Sequence, residues 1–165
     1  DRWRCLAATP ADLLACETIP SLRETVVLLE LLDATPDRWA WFSFSCRDGL
    51  HLHDGSPVVE ATRRCSGSEG VAAVGINCTA PQHVASLIGE VRKGWDGPVM
   101  VYPNSGETYD PIGKVWGRTP EAEPWGTMVR RWHDAGARLV GGCCRVGPSL
   151  VSETRAVLTQ LSEGR

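Results

Sequence analysis

The chain has 165 residues, of which 42% are hydrophobic and 22% are charged, and its formal net charge is −3. This length and composition are typical of one globular domain with a hydrophobic core. The small acidic excess argues against a nucleic acid or an anionic membrane surface as partner, and no apolar run approaches the ~20 residues of a membrane span.

Apolar, strand-like segments alternate with helix-like segments along the chain. The five predicted strands cover residues 12–17, 39–45, 71–77, 98–102 and 138–142. Helical spacing of leucines and valines follows the first strand from Leu22 to Leu32. Two further helices are predicted from Pro81 to about Gly94 and from Pro148 to about Leu161. This alternation predicts βαβ units and a parallel α/β sheet.

One long irregular stretch runs from Glu107 to Gly126 and is rich in proline and glycine. Loops of this length are uncommon inside compact domains, and many of them are functional, for instance as lids. We therefore predict a functional loop here. The first residues, Asp1 to Ala8, have the pattern of a helix interior without a cap, which predicts that the chain begins within a domain.

The seven cysteines include no Cys-x-x-Cys pair, and several lie inside apolar runs. This usage favours a reducing compartment, with buried or metal-bound thiols, over a disulfide framework. We therefore expect a cytoplasmic protein. Cys5, Cys16, Cys46 and Cys65 are interpreted as packing residues, and the tryptophans as core and interface residues.

The other three thiols lie where two predicted strands end. Cys78 closes one apolar run, and Cys143 and Cys144 follow the pair Gly141-Gly142. Adjacent cysteines in a regular strand point to opposite faces, so both can reach one ion only if the strand has ended, which the glycines permit. Three thiolates with one open position form a catalytic zinc arrangement. Buried structural thiols or a vicinal disulfide are the alternatives.

Polar side chains at other strand ends predict a polar rim at the same edge. Glu17 ends the first strand, and burying a carboxylate without a partner is costly. Its partner is expected to be either a substrate ammonium group or an arginine at the sheet edge. The other members of the rim are Ser43, Ser45, Asn77, Tyr102 and Asn104.

His51 and His53 are a further candidate metal pair. A solvated loop is the favoured interpretation of this segment, because the stronger thiolate ligands lie elsewhere.

Five motifs, in this order, resemble one protein family. They are Leu14–Pro20, Phe42–Gly49, Gly75–Cys78, Val101–Glu107 and Gly141–Arg145. The chain resembles a bacterial-type homocysteine S-methyltransferase over nearly all of its length, and more distantly betaine–homocysteine methyltransferase and the homocysteine domain of cobalamin-dependent methionine synthase. That family has a (β/α)8 TIM barrel fold. The resemblance implies that residues 1–165 form a partial homocysteine-binding barrel domain, its C-terminal portion, with about strands four to eight.

The resemblance also implies roles for single residues. Cys78, Cys143 and Cys144 fall on the family's zinc ligands, so Zn²⁺ is the implied cofactor. Glu17 falls in the homocysteine pocket, and Asn104 falls on an asparagine that can occupy the open zinc position when substrate is lacking. Ser45 and Asn77 are assigned to the same substrate-binding pocket.

The implied function is zinc-dependent methyl transfer from a sulfonium donor, S-methylmethionine or S-adenosylmethionine, to homocysteine, giving methionine. Homocysteine and the methyl-sulfonium donor are then the partners, with no nucleic acid and no membrane. The alternative is an inactive zinc-binding fragment, or a subunit that needs another chain to complete the barrel.

Overall fold

The structure, a computed structural model, describes residues 1–117 and 123–164. In these residues the strands are β1 (Leu14–Ile19), β2 (Ala40–Phe44), β3 (Val71–Asn77), β4 (Val99–Tyr102), β5 (Thr108–Asp110), β6 (Val115–Gly117) and β7 (Leu139–Val140). The helices are α1 (Arg2–Ala7), α2 (Leu22–Asp33), α3 (Val58–Cys65), α4 (Val84–Arg92), α5 (Trp125–Asp134) and α6 (Pro148–Glu163). None of the described helices is long and apolar enough to cross a bilayer.

The main sheet has the strand order β1-β2-β3-β4-β7, and every neighbouring pair is parallel. The prediction of a parallel α/β fold is therefore confirmed, and each of the five predicted strands is present. β7 is shorter than predicted and has two residues. The backbone N–H of Gly141 still donates to the Val101 carbonyl oxygen at 2.8 Å, after which the chain leaves the sheet.

Helices α2 to α6 pack side by side in chain order, as right-handed crossovers require. Alternation along the strands separates the two faces of the sheet. Ala40, Phe42 and Phe44 of β2 are fully buried in the core beneath the helices, whereas Trp41, between Ala40 and Phe42, is half-buried. On the other face, called the open face below, Leu139 is 49% exposed. This open face and the carboxyl edge of the sheet position the candidate site.

Two helices, α3 and α5, were not among the predicted helical segments. The buried positions of α3 are Val58, Ala61, Thr62 and Cys65, which have helical spacing. Two of these four are small or polar, and charged residues separate them, so the apolar periodicity is weak. Tertiary packing against the neighbouring helices, not sequence pattern alone, stabilises this element.

The prediction of an irregular stretch from Glu107 to Gly126 is wrong in part. β5 and β6 form an antiparallel hairpin in which Tyr109 is paired with Trp116. Helix α5 then begins at Trp125. Residues 118–122, which belong to the predicted functional loop, lie outside the described residues.

The packing role assigned to Cys5 is also wrong. Cys5 is exposed, and the residue through which the short helix α1 packs on the core is Trp3. Cys16, Cys46 and Cys65 are buried as predicted. The tryptophans also differ in burial. Trp3, Trp125 and Trp132 are in the core, whereas Trp39 is 52% exposed.

Candidate metal and substrate site

The backbone around Cys78 brings its thiol out of the sheet directly after β3. Cys78 has a φ of 49°, a left-handed conformation that is uncommon for a residue other than glycine. Its N–H donates to the Tyr102 carbonyl oxygen at 3.3 Å. The sharp turn is therefore held against the end of β4.

The same segment after β4 also holds the thiol pair. The N–H of Cys143 donates to the Pro103 carbonyl oxygen at 2.8 Å, and the N–H of Ser105 donates to the Cys144 carbonyl oxygen at 3.0 Å. These hydrogen bonds join the loops that follow two neighbouring strands, β4 and β7, at the carboxyl edge of the sheet. As a result, both thiol-bearing loops are attached to one common segment, residues 102–105.

Gly142 allows the close turn that precedes the thiol pair. A Cβ atom on Gly142 would lie 2.1 Å from Cγ1 and 2.4 Å from Cβ of Val146, which is closer than real side chains approach. At Gly141 a Cβ atom would meet Cβ of Tyr102 at 3.5 Å, an ordinary contact. The turn therefore depends on glycine at position 142 and not at position 141.

The three sulfur atoms converge on one site. The Sγ of Cys144 lies 3.7 Å from the Sγ of Cys78 and 4.0 Å from the Sγ of Cys143. All three lie within 4.8 Å of one another. A tetrahedral zinc ion with Zn–S distances of about 2.3 Å places its sulfur ligands about 3.8 Å apart. The spacing and the soft thiol donors therefore fit a zinc ion with a fourth position left over.

Burial and proximity disfavour the thiolate forms of Cys78 and Cys143. Burial is the main cause that raises the pKa of Cys78 to about 12, and the neighbouring Cys143 thiol adds to it. Burial also raises the pKa of Cys143. Half-buried thiols this close together disfavour negative charge on one another, whereas a bound cation favours the thiolate forms.

Asn104 lies in the segment that joins the two thiol loops. Its N–H donates to the Thr79 carbonyl oxygen at 3.0 Å, and Thr79 directly follows Cys78. Its side-chain Oδ1 is buried and has no hydrogen-bond partner among the described residues. Buried amide oxygens without a partner are rare and costly, which marks this oxygen as one that is free to receive a ligand.

Glu17 lies on the open face, in a hydrogen-bonded group with side chains of β2 and β4. The hydroxyl of Tyr102 donates to Oε2 of Glu17 at 3.0 Å, and Nε1 of Trp41 donates to the Tyr102 hydroxyl oxygen at 3.2 Å. The hydroxyl of Ser43 also hydrogen-bonds to that of Tyr102. Within residues 1–117 and 123–164, Glu17 makes no ion pair with an arginine, so the structure disfavours that alternative.

Asn77 and Ser45 lie at the same edge of the sheet but contact the chain itself. Oδ1 of Asn77 accepts from the N–H of Thr18 at 2.9 Å, and its Nδ2 donates to the Thr18 hydroxyl at 2.7 Å. Thr18, next to Glu17, has a φ of 60°. Ser45 is buried, and its N–H donates to the Ile19 carbonyl oxygen at 3.1 Å. Substrate binding by Asn77 and Ser45 stays a prediction.

The histidine pair is not brought to the thiols. Nδ1 of His51 lies 3.1 Å from the carboxylate of Asp48. That carboxylate accepts hydrogen bonds from the backbone N–H groups of Leu50 and His51, and these bonds hold the pKa of Asp48 well below its usual range. In the part of the chain that the structure describes, the three cysteines are the one group of three or more potential metal ligands.

The sequence does not predict two residues of the site. Its pattern assigns Trp41 to the core or to an interface and indicates no role for Thr18. The signal for Trp41 is strand alternation, because it stands between two fully buried residues, Ala40 and Phe42, and so points to the opposite face. Nothing local in the sequence indicates the contact between Thr18 and Asn77, since 59 residues separate them.

Comparison with known proteins identifies the family. The family model described as homocysteine S-methyltransferase matches residues 1–158. The chain belongs to that family. Homocysteine S-methyltransferase YbgG of Bacillus subtilis is 47% identical over 155 residues, which are 94% of this chain and 49% of that protein. A homocysteine S-methyltransferase of Escherichia coli is 41% identical over 94% of this chain and 50% of its own length.

A solved structure gives the same result for the fold. The metallated form of the homocysteine methyltransferase MmuM from Escherichia coli superposes with a TM-score of 0.77 at 36% identity, over 94% of this chain and 48% of that one. The chain therefore has the parallel α/β architecture of this family and spans about half the length of the relatives it matches.

Proposed function

We propose that this chain carries the zinc site and part of the homocysteine pocket of a homocysteine S-methyltransferase. The reaction would move a methyl group from a sulfonium donor, S-methylmethionine or S-adenosylmethionine, to homocysteine, giving methionine. The observation that carries the proposal is the convergence of Cys78, Cys143 and Cys144, with sulfur atoms within 4.8 Å, at the carboxyl edge of a parallel sheet. We assign the five parallel strands to strands four to eight of a partial barrel, residues 1–165.

The three cysteines would act as thiolates. A free thiol has a pKa of ~8.5, so little homocysteine thiolate is present at neutral pH without help. Zinc held by the three thiolates would favour loss of the substrate's thiol proton and leave the fourth position for its sulfur. The thiolates bring three negative charges to a doubly charged ion, so the substrate sulfur beside them stays electron-rich.

The transfer itself needs no general base at the methyl group. The homocysteine sulfur attacks the methyl carbon of the sulfonium in line, and a new S–C bond forms. The donor's C–S bond breaks, its electron pair returns to the donor sulfur, and a neutral thioether leaves. The thiol proton of homocysteine is released to solvent.

The polar residues of the rim would bind and orient the substrate. We assign Glu17 to the homocysteine ammonium group, because its carboxylate is exposed and has no arginine partner among the described residues. Asn104 supplies the amide oxygen for the open position when substrate is absent, and its unpartnered Oδ1 supports this role. Asn77 and Ser45 complete the pocket. The seven free thiols support a reducing, cytoplasmic location.

Zinc content and methionine formation test this proposal. The complete gene product, loaded with zinc and dialysed, should bind about one ion, and Cys78→Ser should lower the stoichiometry well below one. Cys5→Ser is the matched control, because Cys5 is exposed on α1 and should leave zinc binding unchanged. Methionine is then assayed from homocysteine with each sulfonium donor. A zinc-loaded protein that forms no methionine with either donor would contradict the proposal.

A second candidate function is that of a zinc-binding fragment, or of a subunit that another chain completes. The observation that favours it is the open face, together with the outer edges of β1 and β7, which pair with no described strand. The 165 residues expressed alone should then bind zinc, show little methyl transfer and self-associate in size-exclusion chromatography. An in-frame sequence upstream of residue 1 that encodes three more βα units would favour the enzyme.

A further inference from the structure

The hydroxyl group of Tyr102 is the centre of a group of four side chains on the open face, here called the Tyr102 cluster: Glu17, Trp41, Ser43 and Tyr102. Its members come from β1, β2 and β4. The group therefore connects side chains of three strands, two of which lie on one side of β3 and one on the other.

The direction of each hydrogen bond in the Tyr102 cluster follows from proton counting. An indole N–H can only donate, and an ionised carboxylate can only accept. The phenol has one proton and two lone pairs. The phenolic proton therefore goes to Glu17, one lone pair accepts from Trp41, and Ser43 donates to the other. All three hydrogen-bonding positions of the Tyr102 hydroxyl are then used.

β3 leaves room for these contacts because it presents no side chain between them. The residue of β3 paired with Ser43 is Gly75, and Gly75 is in turn paired with Met100 of β4. A Cβ atom on Gly75 would lie 1.7 Å from the Met100 carbonyl oxygen. The sheet therefore excludes any side chain at this position, and the Tyr102 ring can reach Ser43 and Glu17 across it.

The Tyr102 hydroxyl keeps its proton and so remains a hydrogen-bond donor. Burial is the main cause that raises the pKa of Tyr102 to about 12, and the charge of Glu17 raises it further. The hydroxyl therefore stays protonated at neutral pH. It is also uncharged, so it orients the Glu17 carboxylate without neutralising it, as an arginine would. The full negative charge of Glu17 remains available to a cation.

We propose that Tyr102 is a positioning residue for homocysteine: it holds Oε2 of Glu17 and so presents Oε1 to the substrate ammonium group. This inference rests on the proposed function, in which Glu17 binds that ammonium group. An exposed glutamate otherwise samples several rotamers, and fixing one of them before substrate arrives removes an entropic cost of binding. The Trp41 indole and the buried Ser43 hydroxyl keep the phenol in place for this task.

Tyr102→Phe in the complete gene product tests the proposal. The variant should raise the KM for homocysteine about fivefold to tenfold, because the ammonium group would then have to fix the Glu17 rotamer as it binds. The kcat at saturating homocysteine, the KM for the donor and the zinc stoichiometry should stay within about twofold of the unmodified protein. Tyr109→Phe is the matched control, because Tyr109, the chain's other tyrosine, lies exposed on β5.

A substrate analogue separates positioning from general loosening of the pocket. 4-Mercaptobutanoate has the thiol and carboxylate of homocysteine but lacks the ammonium group. If Tyr102 acts through Glu17, Tyr102→Phe should leave the KM for this analogue unchanged. The double variant Tyr102→Phe/Glu17→Gln should then raise the homocysteine KM by less than the product of the two single-variant increases. Equal increases for both substrates would overturn the proposal.

The outcomes distinguish this inference from the proposed function. If Glu17→Gln leaves the homocysteine KM unchanged, the assignment of Glu17 to the ammonium group fails. If Glu17→Gln raises that KM and Tyr102→Phe does not, the positioning role alone is overturned. Should Tyr102→Phe not fold, Trp41→Phe removes one donor to the phenol and keeps the hydroxyl. It should raise the homocysteine KM by a smaller factor and leave the analogue unaffected, and equal effects on both would overturn the role.

Discussion

The N–H of Cys143 donates to the carbonyl oxygen of Pro103 at 2.8 Å, so the thiol pair is anchored to the loop after β4, beyond the end of its own strand. β7 ends at Val140, three residues before the first of these thiols. The geometry of the thiol cluster therefore depends on Gly142, which precedes the thiol pair, and on the backbone of the loop after β4.

Gly142→Ala tests this dependence. The new Cβ atom would overlap the Val146 side chain, whose Cβ would lie 2.4 Å away, so the turn before the thiol pair must shift. We expect zinc affinity to fall about tenfold or more, because changes that displace ligands have such effects. Gly141→Ala is the control, since its Cβ atom meets Tyr102 at an ordinary 3.5 Å. Competition with a chromophoric chelator measures both, and equal affinities would contradict the argument.

Thiol labelling checks which cysteines are accessible. Burial raises the pKa of Cys46 and of Cys65 to about 12 and that of Cys16 to about 11, so these thiols stay protonated and shielded at neutral pH. The other four of the seven cysteines are exposed or half-buried. Without zinc the native protein should expose at most these four to a thiol reagent, and with zinc mainly Cys5.

Mass spectrometry of the labelled peptides identifies each modified cysteine. Rapid labelling of Cys46 or Cys65 in the folded protein would contradict their burial in the core. Labelling of all seven in denaturant provides the reference.

Gly75→Ala and Gly89→Ala should have opposite effects on stability. Gly75 lies in the middle of β3, and a Cβ atom there would overlap backbone atoms of Met100, which costs about 3 kcal/mol of unfolding free energy. Gly89 is exposed in α4, where a Cβ atom meets nothing within 4 Å. Alanine there should stabilise the protein by about 0.5–1 kcal/mol through its helix propensity. Chemical denaturation measures both, and a tolerated Gly75→Ala would contradict the close strand approach.

Alkaline titration of the tyrosines gives a spectroscopic test of the Tyr102 cluster. One tyrosine should ionise near pH 12, and this transition should vanish in Tyr102→Phe. Glu17→Gln should lower the pKa of Tyr102, because it removes a negative charge that disfavours the phenolate. Circular dichroism confirms that the fold persists. An unchanged pKa in Glu17→Gln would show that the two side chains do not interact.

The sequence predicts most of the sheet and the thiol cluster, because both depend on local patterns. Apolar runs that end in Cys78 and in Cys143-Cys144 mark strand ends, and parallel topology brings strand ends to one edge. The hairpin of β5 and β6 was missed, because its strands have three residues each and no clear alternation. Cys5 was misread because residue type alone does not show which face of α1 is buried.

The contacts of the polar rim could be predicted only in part. Tyr102 and Ser43 were both expected at the carboxyl edge, but 85 residues separate Tyr102 from Glu17. Whether two such side chains meet depends on strand register and on the missing side chain of Gly75 between them. Neither the strand register nor the position of Gly75 between the two side chains can be predicted from the residues near Tyr102 or Glu17.

The strands of the main sheet occur in the same spatial order as in the chain, since β1-β2-β3-β4-β7 omits only the hairpin. During synthesis each emerging strand can therefore dock beside its predecessor, with no gap to be filled later. Cys143 and Cys144 emerge last, after Cys78 has already been placed. The three sulfur atoms can come together only when β7 has docked beside β4. Under the proposed function, a ribosome-bound chain would therefore capture its metal ion only after these five strands have assembled.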